Sequence, residues 1–472
     1  MFEYAVVGSG IGGSSIAAYL NAKGKDVILF EKESYLGGCS STFTYGKFQY
    51  NTGATTLAGY QDGFLVKEMF ESIGFTPKLI PTDPTIVVMQ NGKITPRFRD
   101  FEKFLSTLEA NYPHPKNRAF WSLIYKLNED FYKHNSHHYL SATLLKKVLS
   151  LRSFIPLALS FFKYLGSAEC FVEHFFGEIS GEYKQFLESQ ILIVAQAPLS
   201  EINFLTAALA LGYTFNENHY VVGGMSELFD AMTSKIEHLK RKSEIVSIRA
   251  QKGHFELETK ERVYFAKKVI LNSTVYESAK LFDNKKIENY FNGYKKLDNY
   301  QSSFMLYVTI KSEKKFEHHY QIIEDEFFAH TISKALFVSI SDKSDNTLAP
   351  FGHYSITASI HTDVRFWENK ESYKRQKKEL QEALLDTIIK NLEVDKEEIL
   401  HAFCATPKTF KRYINRSQLG GNAITMKNFI PFLPGNDTKI EGLYSVGDTV
   451  YAAQGWPGVM LGVKNLTRIL DV

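Results

Sequence analysis

The stretch that decides the fold lies near the start of the chain, where residues 4–20 read YAVVGSGIGGSSIAAYL. An apolar run typical of a buried strand is followed by Gly8, Gly10 and Gly13 and then by a helix pattern. Gly8 permits a tight turn, Gly10 lets the backbone approach a pyrophosphate, and Gly13 lets the helix pack closely on the strand. This order predicts a dinucleotide site at a helix N-terminus.

A second apolar run follows at the distance expected in such a fold. Residues 26–30 read DVILF and end at Glu31, about 20 residues after the glycine turn. An acid at this point accepts hydrogen bonds from a ribose, and its charge would repel a 2′-phosphate. This segment alone does not distinguish NAD from FAD.

The composition is that of a folded protein, and the 472 residues predict two domains, at least one of them discontinuous. Hydrophobic residues make up 44% and charged residues 23%, so disorder is not expected. A net charge of +3, without zinc-finger or RNA-binding signatures, predicts no nucleic-acid partner. The 37 Phe and 26 Tyr residues suit either an apolar cavity or a core.

Cysteine usage and hydropathy bear on the location of the protein. Cys39, Cys170 and Cys404 form no CxxC pair and leave an odd count, which favours a reducing cytoplasm and argues against a disulfide scaffold or thiolate metal site. The first strand leaves no room for a signal peptide, and no apolar run approaches the roughly 18 residues of a membrane span. We expect a cytoplasmic protein, soluble or peripheral on a membrane.

After the second strand the sequence resembles the FAD-dependent phytoene desaturase, carotenoid isomerase and retinol saturase family. Residues 37–43 read GGCSSTF, with the second glycine pair of that family. Residues 48–59 read FQYNTGATTLAG and look most like the carotenoid isomerase branch and its close desaturase relatives. Asn51 departs from the pattern, because many relatives carry Asp there. Segments 351–367 and 409–421 also resemble that branch, so the resemblance touches most of the chain.

The carboxyl terminus resembles the closing FAD motif of the same family. Residues 442–448 read GLYSVGD and are followed by GWPGV at 455–459 and by a helix that Gly462 and Val463 are expected to open. The resemblance implies that Asp448 bonds the ribitol or pyrophosphate region and that the helix presents its N-terminus to the flavin. Both chain ends then meet on one cofactor, which favours FAD over NAD.

The middle of the chain carries two further segments of the cofactor domain. A glycine pair at 223–224 precedes a helix pattern over 228–239 and a predicted strand over 244–248. In relatives the backbone at the position of Val246 meets the adenine, and a later strand, here 268–272, returns to the cofactor. The cofactor-binding positions that the resemblance implies are Gly8, Gly10, Ile11, Gly12, Gly13, Glu31, Lys32, Gly37, Gly38, Cys39, Ser40, Gly53, Ala54, Thr55, Val246, Asn272, Gly447, Asp448, Gly455, Trp456, Pro457, Gly458 and Val459.

These motifs divide an α/β chain into two predicted domains. Residues 1–95, 218–285 and 416–472 would form a discontinuous FAD domain with a two-nucleotide fold. Residues 96–217 and 286–415 would form a substrate domain. Alternating and amphipathic patterns in its second part predict a mixed sheet with covering helices. The predicted elements are strands over 304–310 and 354–360 and a helix through Leu380, Leu384, Ile388 and Leu392.

Residues 144–165 combine many apolar residues with Lys146, Lys147, Arg152 and Lys163. Basic residues beside an apolar helix are typical of an interfacial anchor that takes up a lipid-like substrate. A buried core helix with solvated lysines explains the pattern equally well. Both interpretations stay open at this point.

Two other groups of residues have plain structural explanations. His134, His137 and His138 lack carboxylate or cysteine support at ligand spacing, so we expect solvated loop histidines and no metal site. The setting of Cys404 does not match that of flavin-linked cysteines in amine oxidases, so we expect a packed thiol.

The resemblance implies an FAD-dependent oxidoreductase or redox-gated isomerase that acts on a long apolar, isoprenoid or carotenoid-like substrate. No acid, base or nucleophile constellation stands out, so the flavin is expected to carry the chemistry, with Thr55, Val459 and Met460 near its ring. The alternatives are a flavin amine oxidase and a non-catalytic escort protein of the same fold. The segment from Gly53 to Gly59 favours the isoprenoid reading, and intact motifs at both chain ends argue against the escort.

Overall fold

The structure, a computed structural model, describes residues 1–133, 137–429, 432–451 and 454–472. Its strands are β1 (Phe2–Val7), β2 (Val27–Phe30), β3 (Thr42–Tyr45), β4 (Phe48–Asn51), β5 (Leu57–Ala58), β6 (Leu79–Pro81), β7 (Ile86–Gln90), β8 (Lys93–Arg97), β9 (Asn218–Val221), β10 (His238–Lys240), β11 (Ser247–Gln251), β12 (His254–Glu258), β13 (Val263–Leu271), β14 (Gln301–Lys311), β15 (His319–Ile323), β16 (Ala335–Ile340), β17 (His353–Asp363), β18 (Ile399–Ala405) and β19 (Leu443–Ser445). Its helices are α1 (Ile11–Ala22), α2 (Leu65–Ser72), α3 (Phe101–Asn111), α4 (Asn117–Lys133), α5 (Leu144–Leu151), α6 (Ile155–Phe161), α7 (Ala168–Phe176), α8 (Gly181–Ala195), α9 (Phe204–Gly212), α10 (Ser226–Thr233), α11 (Lys285–Asn292), α12 (Tyr373–Leu392), α13 (Pro407–Ile414) and α14 (Gly455–Leu470).

The first large sheet is the predicted nucleotide fold. Its strands run in the order β10, β2, β1, β13, β12 and β11, and β19 pairs with β13. The pairs among β10, β2, β1, β13 and β19 are parallel, whereas β12 and β11 add an antiparallel hairpin. Every residue of β2 is buried, as expected for a parallel strand covered on both faces. Strand β19, near the carboxyl terminus of the chain, thus lies in the same sheet as β1, near the amino terminus.

The second large sheet is mixed, and its strands run in the order β18, β14, β17, β16, β15, β7 and β8. The predicted strands 304–310 and 354–360 lie within β14 and β17, which pair antiparallel over their whole length. Helix α12 covers one face through Leu380, Leu384 and Ile388. The predicted α/β class with a second sheet-plus-helix unit is confirmed.

Strand pairing changes three details of the sequence analysis. Strand β7 pairs with β15, and β8 pairs with β7, so both strands belong to the second sheet. A division into domains would therefore fall before residue 86 instead of at 95, and the division itself stays a prediction. The predicted helix over 228–239 ends at Thr233, because the chain returns as β10 beside β2. The strand predicted over 244–248 begins only at Ser247.

Candidate functional site

A cavity of about 1010 Å³ is lined by residues from both large sheets. One wall is formed by the carboxyl ends of β1 and β2 and by the turn before α1, and the floor is the inner face of β14, β15, β16 and β17. Helices α4, α5, α6, α8 and α9 contribute apolar side chains at the other end. The cavity therefore begins where open α/β sheets bind ligands, beyond the carboxyl ends of their parallel strands.

The N-terminus of α1 is open toward the cavity. Gly10 is the N-cap residue, with φ −64° and ψ −179°, and within the described residues no side chain caps the helix. Gly8, Gly10, Ile11 and Gly12 line the cavity. The first N–H groups of α1 therefore point to a place that suits a phosphate group.

Close packing explains why glycine occupies the turn around α1. A Cβ atom on Gly13 would lie 2.0 Å from the Gly8 carbonyl oxygen. A Cβ atom on Gly12 would lie 2.9 Å from the Gly447 backbone nitrogen, and one on Gly447 would lie 2.9 Å from the Asn272 side-chain oxygen. The amino-terminal turn, the end of β13 and the segment after β19 thus touch each other. The expected meeting of both chain ends is present in the structure.

Glu31 at the end of β2 is part of the cavity wall. One carboxylate oxygen accepts hydrogen bonds from the Ser9 backbone N–H at 3.1 Å and from the Ser9 hydroxyl at 2.5 Å. The other accepts from the Glu33 backbone N–H at 2.9 Å. These bonds hold the carboxylate at the position from which an acid contacts a ribose in this fold.

The segment before β11 meets the cavity slightly earlier than the sequence predicted. Ser243, Glu244 and Ile245 line the cavity. Val246 is 41% exposed and is absent from the lining, and its N–H donates to the Glu258 carbonyl of the β11–β12 hairpin. The cofactor contact of Val246 therefore stays a prediction, and Ser243, Glu244 and Ile245 are the residues of this segment that line the cavity.

Asp448 forms an ion pair that the sequence analysis missed. The Arg416 Nη1 lies 3.0 and 3.1 Å from the two Asp448 carboxylate oxygens, and the Arg416 Nε donates to the Gln418 carbonyl at 2.7 Å. Burial acts to lower the pKa of Arg416, but Asp448 and Cys39 raise it above its usual value. Both members of the pair line the cavity. A single arginine in a loop carries no local pattern that marks it for a site.

The last helix brings a second N-terminus to the cavity. Helix α14 begins at Gly455, seven residues before the predicted Gly462, and residues 455–459 line the cavity. Met460 was expected near the flavin, but it is buried in the core beneath the first sheet. Consecutive helical residues point about 100° apart, so Val459 can face the cavity while Met460 faces the core.

Behind Thr55 and Thr56 lies a buried imidazole, His319 of β15. Its Nδ1 is 3.1 Å from the Thr85 carbonyl oxygen, so Nδ1 carries the proton and donates it. Its Nε2 therefore accepts from the Thr56 hydroxyl at 2.7 Å, with the Thr55 hydroxyl 3.4 Å away. Burial and the neighbouring His318 lower the pKa of His319 well below its usual value. His319 is thus a neutral acceptor behind the two threonines, and no sequence motif identified it.

The far half of the cavity is apolar. Its walls come from five helices, α4, α5, α6, α8 and α9, and from the loops that precede β19 and α14, so that no single stretch of sequence defines it. The apolar and aromatic residues of this half are Phe131, Tyr132, Leu151, Phe154, Leu157, Ala158, Phe161, Leu165, Leu192, Ile193, Val194, Leu205, Leu209, Ala210, Tyr213, Phe429, Leu433 and Tyr451.

The histidine and cysteine predictions have mixed outcomes. His134 lies outside the described residues. His137 is buried and lines the cavity, with its ring 4.8 Å from that of Phe154, so the expectation of a solvated loop histidine is wrong for it. Among the described residues no group of three His, Cys, Asp or Glu side chains could hold a metal ion. Cys404 is buried away from the cavity, and its thiol donates to Gln381, as expected of a packed thiol.

The site fits an FAD molecule. Two helix N-termini that no described side chain caps, a turn of close-packed glycines and a carboxylate at the end of β2 lie at one end of the cavity, while the rest is large enough for further ligand atoms. Of the predicted cofactor positions, Gly13 lies behind the cavity wall as a packing glycine and Val246 lies outside it. The predicted positions that line the cavity are Gly8, Gly10, Ile11, Gly12, Glu31, Lys32, Gly37, Gly38, Cys39, Ser40, Gly53, Ala54, Thr55, Asn272, Gly447, Asp448, Gly455, Trp456, Pro457, Gly458 and Val459.

Sequence comparisons agree with this geometry. Residues 6–73 match the NAD(P)-binding Rossmann-like domain family. The chain is 25% identical to prolycopene isomerase 1, chloroplastic, of an Oncidium hybrid cultivar, over 100% of this chain and 86% of that protein. It is 20% identical to the carotenoid 3,4-desaturase of Haloarcula japonica, over 99% of this chain and 98% of that protein. The resemblance to the carotenoid isomerase and desaturase family is confirmed.

Solved structures support the fold. An oxidoreductase from Methanosarcina mazei superimposes with a TM-score of 0.66 at 19% identity, over 99% of this chain and 100% of that chain. Putrescine oxidase bound to putrescine superimposes with a TM-score of 0.65 at 12% identity, over 100% of this chain and 99% of that chain. These two similarities support the fold, and the relatives named above confirm the predicted class, an FAD-dependent enzyme of the oxidoreductase or isomerase type.

Proposed function

We propose that this enzyme of the carotenoid isomerase and desaturase family isomerises double bonds in the polyene chain of a long isoprenoid. The observation that carries the proposal is the continuity of the cavity, which joins a dinucleotide-binding end to a large apolar end. FAD, when bound, supplies reversible electron and hydride transfer to a carbon chain. The similarity to a prolycopene isomerase over the whole chain supports isomerisation, and the similarity to a carotenoid 3,4-desaturase makes desaturation the second candidate.

The charges on the cavity wall favour a polyene over an amine. The ionised side chains among the described lining residues are Glu31, Lys32, Glu244, Arg416 and Asp448, which belong to the nucleotide-binding segments. The apolar half offers no carboxylate to an ammonium group, and an unpaired charge there would be costly. The protein's own contribution is therefore to hold an apolar chain and to exclude water from it.

An anaerobic assay tests the proposal. The purified flavoprotein is reduced with dithionite, mixed with poly-cis lycopene in detergent micelles, and the isomers are separated by chromatography. We expect cis-to-trans conversion with the reduced enzyme, with no net consumption of reductant, and little conversion with the oxidised enzyme.

The same cuvette distinguishes the alternatives. Loss of the oxidised flavin absorbance on addition of a polyene, with a product that has one more double bond, would establish desaturation instead. If polyenes are inert in both flavin states while putrescine bleaches the flavin, the polyene proposal is wrong.

We further propose that α5 and α6 contact an anionic membrane from which the substrate is taken. Leu144 and Leu145 on α5, Leu159 on α6 and Phe162 directly after α6 are 70–78% exposed. This exposure supports the interfacial-anchor interpretation of residues 144–165 over the core-helix interpretation. The basic residues of this segment, Lys146, Lys147, Arg152 and Lys163, complement an anionic lipid surface.

The opposite side of the same helices faces the cavity. Leu151, Leu157 and Phe161 line it from within. Ala158, Leu165 and Phe429 are both exposed and part of the lining, so they form an apolar rim between the cavity and the surface. A substrate could pass from lipid into the cavity at this rim without crossing water. Within the described residues no helix is long and apolar enough to span a membrane, so the proposed contact is interfacial.

Vesicle sedimentation tests this contact. The holoenzyme should sediment with vesicles of phosphatidylcholine and phosphatidylglycerol, and the variant Leu159→Ser with Phe162→Ser should bind about tenfold more weakly, since two apolar side chains no longer enter the interface. Phe351→Ser is the matched control, because Phe351 is 77% exposed, like Phe162, but lies elsewhere. Equal sedimentation of all three proteins, or no binding by any, would contradict the contact.

A further inference from the structure

The cavity floor carries a group of polar side chains that the functions above leave unused. Ser303 on β14 pairs directly with His361 on β17, and Met305 pairs with Ser359. Alternate residues of a strand face the same side of a sheet, so Ser303, Ser359 and His361 share one face. All three line the cavity. We call Ser303, Ser359 and His361 the floor patch.

Hydrogen bonds behind the floor patch fix the tautomer of His361. The Asn299 amide donates to the Gln301 side-chain oxygen at 3.1 Å, so the Gln301 NH₂ group is turned toward His361. That NH₂ group lies 3.3 Å from the His361 Nδ1, which must therefore be the acceptor. The proton of the imidazole then sits on Nε2. Burial lowers the pKa of His361 to about 4, so the ring is neutral near pH 7 and offers a single N–H donor.

The free hydrogen-bonding groups of the floor patch face the cavity. In the described part of the chain, no hydrogen bond is formed by the His361 Nε2 or by the hydroxyls of Ser303 and Ser359, whose side chains are accessible from within the cavity. Ser333 offers a contrast, because its hydroxyl also lies on the cavity wall but bonds the backbone of Ala335. A hydrogen-bond donor left without a partner in an apolar enclosure costs free energy, so the floor patch is suited to donate hydrogen bonds to an acceptor on a ligand.

The charge of the surroundings limits the kind of acceptor. Neither Lys nor Arg occurs among the lining residues of β14 to β17, and Arg416 is already paired with Asp448. A carboxylate on the floor would thus be buried without a counter-charge, whereas a hydroxyl or carbonyl oxygen would not. We propose that the floor patch binds an uncharged oxygen atom of the substrate, so that the preferred substrate is an oxygenated isoprenoid instead of a pure hydrocarbon. This inference rests on the proposed polyene function.

Matched polyenes test the substrate class. All-trans-retinol and its deoxy hydrocarbon are titrated into the oxidised holoenzyme, and binding is followed by the polyene absorbance and by quenching of protein fluorescence. The wild type should bind the alcohol about tenfold more tightly, which corresponds to roughly 1.4 kcal/mol. His361→Phe, which keeps an aromatic ring but lacks the donor, should lose this preference, and Ser303→Ala should reduce it. Ser333→Ala should keep it.

Three other results would overturn the inference. Equal binding of the alcohol and the hydrocarbon by the wild type would disprove the oxygen-binding site and leave the proposed polyene function intact. If neither polyene binds, the polyene function fails and this inference falls with it. If ligand-free His361→Phe contains less FAD or shows a shifted flavin spectrum while its alcohol preference stays unchanged, the donor belongs to a carbonyl of the cofactor. FAD content and the thermal midpoint of each variant show whether it is folded.

Discussion

At the nucleotide end of the cavity glycines expose backbone at the wall, whereas at the apolar end the lining residues carry large apolar side chains. The first end is built from Gly10, Gly12 and Gly447, where an added Cβ atom would come within 3 Å of a neighbour. The second end is built mainly from leucines and phenylalanines of five helices. Backbone groups at this end bind the pyrophosphate that all dinucleotides share, and the closely packed glycines leave no space for a larger residue. Side chains set the shape of the cavity, so they can change with the substrate while the cofactor end stays the same.

The largest effect is expected at the packing glycine of the nucleotide end. Gly13→Ala places a Cβ atom 2.0 Å from a backbone oxygen, so α1 must move away from β1. We expect a loss of about 3 kcal/mol or more in the free energy of unfolding, measured by urea denaturation. Gly181→Ala is the control, because its Cβ atom meets no atom within 4 Å; a similar loss in that variant would show that the effect is not local packing.

Gly10→Val should separate cofactor binding from folding. The added side chain fills the space in front of the α1 N-terminus, where its Cβ atom lies 2.7 Å from the movable Asn272 side chain. We expect a folded, nearly colourless protein with FAD affinity reduced by at least about a hundredfold. FAD release measured by fluorescence after ultrafiltration checks this. An unchanged flavin spectrum would contradict the assignment of the pyrophosphate site.

Leu209→Trp, at the apolar end, should weaken polyene binding and leave FAD binding unchanged. Leu209 lies on α9 and lines the cavity, so the larger indole takes up space meant for the polyene. We expect full FAD content and polyene affinity reduced by about a hundredfold. Leu209→Met, which conserves volume, should bind polyene like the wild type. If Leu209→Trp loses FAD as readily as Gly10→Val does, the two ends are not independent.

The smallest effect concerns the pH dependence of stability. Burial lowers the pKa of His318 and of His361 to about 4, below the usual value of 6.5. The unfolded chain therefore takes up protons first, and stability present above about pH 6.5 should fall as the pH drops toward 4. His361→Gln should reduce this fall by about 1 kcal/mol, allowing for water contact in the cavity. Urea midpoints across this range measure it, and an equal fall in the wild type and in His361→Gln would contradict the prediction.

The sequence by itself determined the nucleotide end, because that end depends on local chain geometry. A strand, a turn that only glycine can form and a helix are consecutive in residues 4–20, so their spacing is visible without knowledge of the fold. The same holds for residues 442–448 near the other end of the chain. The family resemblance indicated FAD as the cofactor and named its binding residues, and most of these residues line the cavity.

Tertiary structure alone decided the rest, since the remaining contacts join residues far apart in the chain. Arg416 reaches Asp448 across 32 positions, and Thr56 reaches His319 across 263. Neither pair has a local pattern. The same holds for Val246 and Met460, which were predicted near the cofactor. Each lies one residue from a residue that lines the cavity, and only the start of a hairpin or the rotation of a helix decides which neighbour faces it. The floor patch exists only because β14 and β17 pair in one register, which sets Ser303 beside His361.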